Sequence, residues 1–254
     1  MKACVLASGS EGNCTYIETE NHKILVDLGT NVKYIKEKLD EIGVSLEDIE
    51  YVIISHVHGD HVKALKTFIK NYNATIFVTR LMFQELPYLQ EHPNIIIYED
   101  DIYLDGLTIN VIKTSHDASD SRNFIFTSKR KSVAYITDTG YLNQKYFKLL
   151  SNLNVYLFES NHDVEMLMNG PYPTWLKNRV VGPVGHLSNK DASVYLAKLI
   201  GPETSKVILM HLSKHNNTED IALETLYSTF KEYDVEFANV SCAKQKEKSE
   251  LIEL

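Results

Sequence analysis

The sequence predicts an α/β (α+β) fold in which two β-sheets are flanked by helices. About a dozen short runs rich in β-branched and aromatic residues have the length of strands. Several segments between them repeat apolar residues at the helical spacing. Short strands interleaved with helices favour two sheets covered by helices over one parallel sheet. No repeat or Pro/Ser-rich linker interrupts residues 1–254, so we expect one domain.

The elements are expected in the following order along the chain. CVLAS, CTYIET and KILVDLG predict strands, and the loop SGSEGN joins the first two. NVKYIKEKLDEIG predicts an amphipathic helix that ends near Gly43, and SLEDIE begins with a capping serine before the buried strand YVIIS. HVKALKTFIKNY predicts one continuous helix with a single apolar face.

Strand and helix patterns continue to the C-terminus. ATIFVT, RLMFQELPYL and NIIIYE predict a strand, a helix and a strand. LTINVIKTS, NFIFTS and SVAYIT predict consecutive strands, the last two joined by the turn SKRK. VYLFES, KVILMH and VEFANV predict three more strands, with helices near Lys190–Ile200 and Thr218–Tyr233.

Composition and charge exclude several classes of protein. No apolar run approaches the roughly 18 residues of a membrane span, and MKACVLASGS predicts a first strand rather than a signal peptide, so we expect a cytoplasmic protein. Three cysteines without a CxxC pair disfavour a disulfide framework and a thiolate-rich zinc site. The net charge of −8 disfavours broad nucleic-acid binding. Two bound divalent ions would nevertheless reverse the potential locally.

The segment HVHGDH, which directly follows the strand YVIIS, has the pattern of a metal-binding loop. In an extended or tightly turning loop, His56 and His58 can point toward one ion by alternation. Asp60 and His61 then turn toward a second position as the helix begins. The pattern is not the helical HExxH zinc motif, because no glutamate stands between the histidines. The alternative is a solvated polar loop.

One loop cannot complete two metal sites, and three further donors stand where strands end. His116, Asp138 and His211 follow INVIKTS, SVAYIT and KVILM. A single histidine after a strand is usually structural, but three such positions beside HVHGDH favour metal ligation. Rigid strands also hold ligands in place better than loops do. Nitrogen and oxygen donors of this kind suit Zn or Mn, and Fe is an alternative.

HVHGDH followed by His116, Asp138 and His211 resembles the metallo-β-lactamase-fold hydrolases over nearly the whole chain. The resemblance implies a four-layer αββα sandwich with a two-metal site at one edge. It implies that the first ion is held by His56, His58 and His116. It implies that the second is held by Asp60, His61 and His211, with Asp138 bridging the two. Asp27, at the end of ILVD, matches the aspartate that supports the metal loop, and the alternative for it is an exposed turn acid.

The residues between Asp138 and His211 narrow the resemblance further. Their order, Glu-x-x-His and then Gly-His followed by a small residue, resembles the phosphodiesterase branch of the fold, including tRNA 3′-processing endonucleases. This implies that His186 contacts the scissile phosphate and protonates the leaving oxygen, and that a nearby acid orients it. We take Glu159, His162 and Asp60 as the other catalytic candidates. The alternative for both His186 and His162 is a structural histidine.

The segments SGSEGN, SNHDVEML, GPYP, GHLSN and HLSKHNN together resemble the YycJ/WalJ (VicX) group of bacterial proteins. The group implies a cytoplasmic metal-dependent nuclease, a 5′→3′ DNA exonuclease with a proposed role in mismatch repair. Where an acidic residue is expected after HLSK, this chain has His215. Only 72 residues separate Asp138 from His211, too few for the β-CASP insertion of larger nucleases, so we expect an open cleft.

Substrate contacts are predicted from polar and basic residues near these motifs. The polar candidates are Ser8, Ser10, Asn13, Ser188, Ser213 and Asn217. The basic candidates for phosphate contacts are Arg122, Lys177, Arg179 and Lys214, and the alternative for each is a solvated surface charge. We expect His22, His92 and His215 to be ordinary surface residues.

Three classes of function are therefore open. The first is a metal-dependent phosphodiesterase that acts on nucleic acid, with DNA favoured over RNA. The second is a small-molecule hydrolase of the same fold that acts on a lactone, thioester or cyclic nucleotide. The third is a regulatory accessory of a two-component system that keeps its metals structurally. The spacing of Glu159, His162 and His186 favours the first class.

Overall fold

The computed structural model describes residues 1–254 as two seven-stranded sheets packed face to face, with helices on both outer faces. The predicted four-layer αββα sandwich is confirmed. None of the helices combines the length and apolarity needed to cross a membrane.

The first sheet has the order β14-β1-β2-β3-β4-β5-β6. Its strands are β1 (Lys2–Ala7), β2 (Cys14–Glu18), β3 (Lys23–Val26), β4 (Tyr51–Ile53), β5 (Thr75–Val78), β6 (Ile95–Ile97) and β14 (Ile252–Glu253). From β14 to β3 neighbouring strands are antiparallel, and from β3 to β6 they are parallel.

The second sheet has the order β13-β12-β11-β10-β9-β8-β7. Its strands are β7 (Ile102–Leu104), β8 (Leu107–Lys113), β9 (Arg122–Ser128), β10 (Lys131–Ile136), β11 (Val155–Glu159), β12 (Lys206–Met210) and β13 (Val240–Cys242). From β7 to β10 neighbours are antiparallel, and from β10 to β13 they are parallel. As a result β8, β10, β11 and β12 run in the same direction.

The helices form the two outer layers and the connections. They are α1 (Val32–Asp40), α2 (Gly59–Val62), α3 (Leu65–Asn71), α4 (Arg80–Glu85), α5 (Phe147–Leu150), α6 (Val164–Asn169), α7 (Thr174–Val181), α8 (Asn189–Leu199) and α9 (Glu219–Glu232). Short 3-10 helices span Leu46–Asp48, Pro87–Glu91 and Gln144–Tyr146.

Alternation along the strands builds three apolar layers. In β1, Ala3 and Val5 face the second sheet, whereas Cys4 and Leu6 face the outer layer that contains α1 and α3. Strand β10 does the same in the second sheet, because Val133 enters the layer between the sheets and Ala134 packs toward α8 and α9. Both faces of each sheet are thus buried, which explains the nearly continuous apolar runs of the central strands.

The predicted helix HVKALKTFIKNY is wrong as one element, because it is divided into α2 and α3. The loop before β2 and the loop after β3 bind the backbone groups that would continue α2. The Asp60 carbonyl accepts from the Asn13 N–H at 2.8 Å, and the Ala64 N–H donates to the Leu28 carbonyl at 2.8 Å. These two bonds fix the segment HVHGDH beside the end of β3.

Other local predictions also need correction. The last predicted strand, VEFANV, lies mostly before β13, since Val235 N–H bonds back to the Phe230 carbonyl of α9 and pairing starts only at Val240. Strands β7 and β14 and helices α5, α6 and α7 had no predicted counterpart. His22 and His92 are buried rather than superficial, each with a ring nitrogen at 2.9 Å from a backbone carbonyl oxygen.

Candidate metal centre

The polar side chains of the site stand at the C-terminal ends of strands from both sheets. Each follows or ends a different strand: Asp27 after β3, His56 to His61 after β4, His116 after β8, Asp138 after β10, Glu159 at the end of β11 and His211 after β12. Because β3 and β4 are parallel to each other, and β8, β10, β11 and β12 share a direction, these ends meet at one edge of the sandwich. The topology therefore gathers residues that are far apart in sequence.

Three of these residues leave their strands in the left-handed region of backbone conformation. Asp27, Asp138 and His211 have φ values of 62°, 51° and 57°. A non-glycine residue there is strained by roughly 1–3 kcal/mol and persists only where its surroundings hold it. The His211 backbone N–H, for example, donates to Ser8 Oγ at 2.8 Å. Three of the six non-glycine residues with positive φ thus belong to the donor cluster, and strained backbone of this kind is common at functional sites.

Two donor sets lie side by side and meet at Asp138. In the first, His56, His58 and His116 each present a nitrogen within 4.8 Å of the other two. In the second, a carboxylate oxygen of Asp60 and one ring nitrogen each of His61 and His211 lie within the same distance of one another.

Asp138 reaches both sets. Its Oδ2 lies 3.1 Å from His61 Nε2, and its Oδ1 lies 4.0 Å from His116 Nε2. The geometry brings together all seven residues that the sequence predicted as ligands.

Unpaired nitrogens show that this cluster suits divalent ions. His56 Nε2 and His211 Nε2 are buried and have no hydrogen-bond partner in the chain. Buried polar atoms are normally paired, so an orphaned nitrogen in each set indicates that something else completes it. Imidazole nitrogens and carboxylate oxygens are ligands for Zn, Mn and Fe. The residues present therefore fit a pair of divalent ions.

Asp27 holds the metal loop from behind. It is fully buried, and its Oδ1 accepts the Ser55 N–H at 2.8 Å. Its Oδ2 accepts from Ser55 Oγ at 2.7 Å and from Tyr135 O–H at 3.0 Å, and it lies 2.7 Å from His61 Nδ1. A proton on His61 Nδ1 is shared with this carboxylate, so His61 Nε2 is directed at the cluster. The alternative of an exposed turn acid is excluded.

The pKa values in the cluster follow from burial and mutual attraction. Burial alone raises the pKa of Asp138, but the nearby His211 and His61 charges hold that pKa well below its usual range. Burial lowers the pKa of His61, and the carboxylates of Asp27 and Asp138 outweigh it and raise the pKa to about 10. Burial holds the pKa of His56 well below its usual range. Asp138 is thus anionic and His56 neutral, the states that bind metal, whereas His61 must release a proton before its Nε2 can take an ion.

Glu159 joins the cluster to His186. It is fully buried, and its Oε1 lies 2.8 Å from His186 Nδ1 and 3.2 Å from His211 Nδ1. Its Oε2 accepts the Thr139 N–H at 3.0 Å. Burial raises the pKa of Glu159, but the adjoining histidines lower it to about 2, so the group is a carboxylate. Glu159 therefore accepts from Nδ1 of both histidines and leaves their Nε2 atoms for other partners.

A cleft of about 240 Å³ opens over the cluster. Its walls contain His58, Asp60, His116, Asp138, His186 and His211, together with Ser10, Asn161, Tyr172, Leu176, Arg179, Val180, Ser213 and Asn216. A larger chamber of about 770 Å³ shares Ser10 and Asp60 with the cleft and is bordered by Lys63 and Lys246. The donor cluster is thus accessible from outside, with room on both sides of Asp60.

The structure separates the predicted substrate contacts into two groups. Ser10 and Ser213 line the cleft, as a contact residue must. The other four polar candidates are buried, and their side chains are engaged in bonds within the fold: Ser8, Asn13, Ser188 and Asn217. Asn13, for example, lies with Nδ2 at 3.0 Å from His61 Nε2. The prediction that these four touch substrate is not supported.

The basic candidates and His162 are also divided by position. Arg179 lines the cleft, where it forms an ion pair with Asp117. Arg122 is buried against Asp120, outside the cleft, and Lys177 and Lys214 are occupied by the Met168 carbonyl and by Glu11.

His162 does not line the cleft. It is buried with Nδ1 at 3.3 Å from Asn161 Oδ1, and burial lowers its pKa to about 4. A direct catalytic role for His162 is therefore not supported.

Sequence reasoning missed residues that contact the cluster. Asp117 Oδ1 lies 3.6 Å from His116 Nε2 and 3.8 Å from His58 Nε2, while its other oxygen binds Arg179. Its place directly after His116 was the available signal. Asn161 and Tyr172 also line the cleft; they lie in the segments SNHDVEML and GPYP, but neither residue was singled out there.

Comparisons with known proteins agree with this geometry. A model of the metallo-beta-lactamase superfamily matches residues 7–141, more than half of the chain. The exodeoxyribonuclease YycJ of Bacillus anthracis is 33% identical over 223 residues, which cover 86% of this chain and 84% of that protein. The exodeoxyribonuclease WalJ of Streptococcus pneumoniae strain D39 is 33% identical over 241 residues, covering 92% and 90%.

A solved structure shows the same fold at low identity. The metallo-beta-lactamase fold protein YhfI from Bacillus subtilis has a TM-score of 0.74 at 17% identity, with 98% of both chains covered. The resemblance to the YycJ/WalJ group is confirmed by identity over most of the chain. The superfamily fold implies binding of divalent metal, and the His/Asp clusters provide donors for it. This chain therefore belongs to the metallo-beta-lactamase superfamily and is a hydrolase of that superfamily.

Proposed function

We propose that this protein is a metal-dependent phosphodiesterase that hydrolyses nucleic acid, as a 5′→3′ DNA exonuclease. The observation that carries the proposal is the position of His186. Its ring lines the cleft, and Nδ1 lies 2.8 Å from Glu159 and 3.4 Å from Asp138 Oδ1. A histidine held by an acid at the edge of two donor sets can protonate the leaving oxygen of a phosphodiester.

Seven residues of the cluster would bind the metal ions that hydrolysis needs. Two divalent ions, when bound, would polarise a phosphate oxygen and lower the pKa of water toward neutrality. His56, His58 and His116 would hold one ion, Asp60, His61 and His211 the other, and Asp138 both.

The protein's own proton donor is His186. Glu159 accepts from its Nδ1, which fixes the tautomer and directs Nε2 into the cleft. In the reaction His186 starts as the imidazolium, which the buried Glu159 carboxylate stabilises. Nε2 donates its proton to the departing oxygen, and the ring is left neutral with its remaining proton on Nδ1 beside Glu159.

DNA is favoured as substrate by the two relatives, which are named exodeoxyribonucleases. RNA is the second candidate within the same reaction class. Residues 139–210 form α5 to α8 with β11 and β12 and provide parts of the cleft wall, which supports a cleft that admits a strand end directly. A role in DNA mismatch repair in the cytoplasm is part of the proposal.

A substrate panel tests the proposal. Purified protein is incubated with 5′- or 3′-labelled duplex DNA, single-stranded DNA, RNA and a chromogenic phosphodiester, with Mn²⁺ or with EDTA. We expect Mn²⁺-dependent release of nucleotides from the 5′ end of DNA. Hydrolysis of a lactone, thioester or cyclic nucleotide without cleavage of any nucleic acid would replace the proposal by the small-molecule alternative.

Substitution of His186 separates proton donation from metal binding. His186→Ala should retain nearly normal metal content and lose turnover by about 10²–10⁴-fold, the usual scale for a lost general acid. Asp138→Ala serves as the comparison, because it should lose metal as well as activity. Loss of one ion from His186→Ala would instead make His186 a ligand.

A further inference from the structure

Trp175 is the only tryptophan of the chain, and it is 66% exposed. It lies in the first turn of α7, four residues before Arg179. Side chains four residues apart share one face of a helix, and Arg179 is part of the cleft wall. Trp175 is therefore exposed on the Arg179 side of α7, next to the helix face that lines the cleft.

The same wall carries a second, half-buried aromatic ring. Tyr172 lines the cleft, and its ring lies edge-on to the exposed His215, with centroids 6.0 Å apart. Leu176 and Val180 of α7 complete this part of the wall. Tyr172 just before α7, and Trp175 and Arg179 within it, thus place two aromatic rings and a cation along one segment near the donor cluster.

Large exposed rings at the edge of a functional cleft are typical of binding surfaces. An indole face stacks on any nucleobase, whatever its identity, because every base has a π-face. A guanidinium beside it suits the phosphate that links that base to the next. The Arg179 side chain is 47% exposed, so it is available for this contact despite its ion pair with Asp117.

We propose that Trp175 stacks on an unpaired nucleobase of the bound strand, while Arg179 contacts the adjoining phosphate. This inference rests on the proposed function and deepens it, because it assigns to α7 the grip on single-stranded nucleic acid next to the reacting phosphate. Binding by stacking is independent of base sequence, as an exonuclease requires. Val164, Met168, Val181 and Val184 are also exposed near this region of sequence, and an interface between two copies of the chain is the competing outcome.

Fluorescence provides a direct test, since the protein has one tryptophan. The metal-loaded wild type is titrated with a short phosphorothioate oligothymidylate, which resists hydrolysis, and with a blunt duplex of the same length. We expect strong quenching by the single strand, weak quenching by the duplex, and protection of Trp175 from acrylamide only in the single-strand complex. These readouts do not depend on turnover.

Variants then measure the contribution of the ring. By anisotropy of a labelled oligothymidylate, Trp175→Ala should weaken binding by about 5- to 100-fold, the effect of one base–aromatic stack. Trp175→Phe should recover part of the affinity. Tyr103→Ala is the matched control, because Tyr103 is 73% exposed on β7 and lines a different cavity, so its affinity should equal that of the wild type.

Three results would overturn the inference. They are wild-type affinity in Trp175→Ala, quenching by duplex as strong as by single strand, and a change in fluorescence with protein concentration in the absence of nucleic acid. Failure of the inference is distinguishable from failure of the proposed function. If the protein cleaves DNA but its fluorescence is not quenched, the proposed function stands and the stacking site is refuted. If its fluorescence is quenched but no phosphodiester is cleaved, the stacking site stands and the proposed function is refuted.

Discussion

Replacing Asp27 by Asn tests whether this buried carboxylate determines how His61 presents its nitrogen to the metal centre. In the structure, Oδ2 of Asp27 faces three groups: Ser55 Oγ, Tyr135 O–H and His61 Nδ1. An amide at that position donates instead of accepting. The two hydroxyl groups can rotate and accept from it, but a proton on His61 Nδ1 would meet another donor.

His61 can avoid that clash only by moving its proton to Nε2, the nitrogen that faces Asp138. A protonated Nε2 cannot bind an ion. We therefore expect the ion held by Asp60, His61 and His211 to bind about 10–100-fold more weakly, the usual effect of losing such a support. One buried donor without a good acceptor should also lower the free energy of unfolding by about 1–3 kcal/mol.

Two measurements check this prediction. Metal affinity is measured by competition with a chromophoric chelator, and the free energy of unfolding by urea denaturation in EDTA. Tyr135→Phe is the control, since it removes one donor and leaves the His61 contact, so it should keep both ions. Wild-type affinity for two ions in Asp27→Asn, with only stability reduced, would refute the tautomer argument.

Three further predictions concern packing, charge and thiols. In Gly29→Ala the added Cβ would overlap the Asp60 carbonyl, so we expect the free energy of unfolding to fall by about 1–3 kcal/mol. Gly59→Ala is the control, because a Cβ at Gly59 meets open space and should be tolerated. Equal stabilities of the two variants would contradict this prediction. Arg122→Met leaves the buried Asp120 carboxylate without its partner and should lower the free energy of unfolding by about 3–5 kcal/mol. The folded variant should still bind oligonucleotides as tightly as the wild type. Weaker oligonucleotide binding with unchanged stability would show that Arg122 contacts phosphate. Burial raises the pKa of the Cys4 and Cys14 thiols, so both should react with a thiol reagent only after denaturation, and rapid labelling of the native protein would contradict their burial.

The fold and the donor cluster were largely predictable because their signals are local. A strand that ends at a polar ligand is visible as an apolar run followed by Asp or His, as in SVAYIT before Asp138. HVHGDH places four donors within six residues, and its partners are marked by the same strand-end position. Topology then gathers these ends at one edge without any further information from the side chains.

The predictions that failed depend on contacts between distant residues. Ser8 is a polar residue in a Gly-rich loop, which suggests a substrate contact, yet its Oγ accepts from the backbone of His211, 203 residues away. The helix after HVHGDH breaks because the Asn13 N–H takes the Asp60 carbonyl, a bond that no helical pattern shows. Local periodicity cannot indicate which partner a polar group finds.

From the sequence came the two-sheet fold, through hydrophobic periodicity, and the HVHGDH loop, through its spacing. The αββα order, the grouping of the seven donors and the family came from the resemblance of the motifs to the metallo-β-lactamase-fold hydrolases. Only the tertiary structure decided that Glu159 holds both His186 and His211, that Asp27 directs His61, and that Trp175 is exposed on the helix that contributes Arg179 to the cleft. The physical reason is that a side chain's chemistry is set by its neighbours in space. For these residues the neighbours come from strands and loops that meet only when the two sheets close.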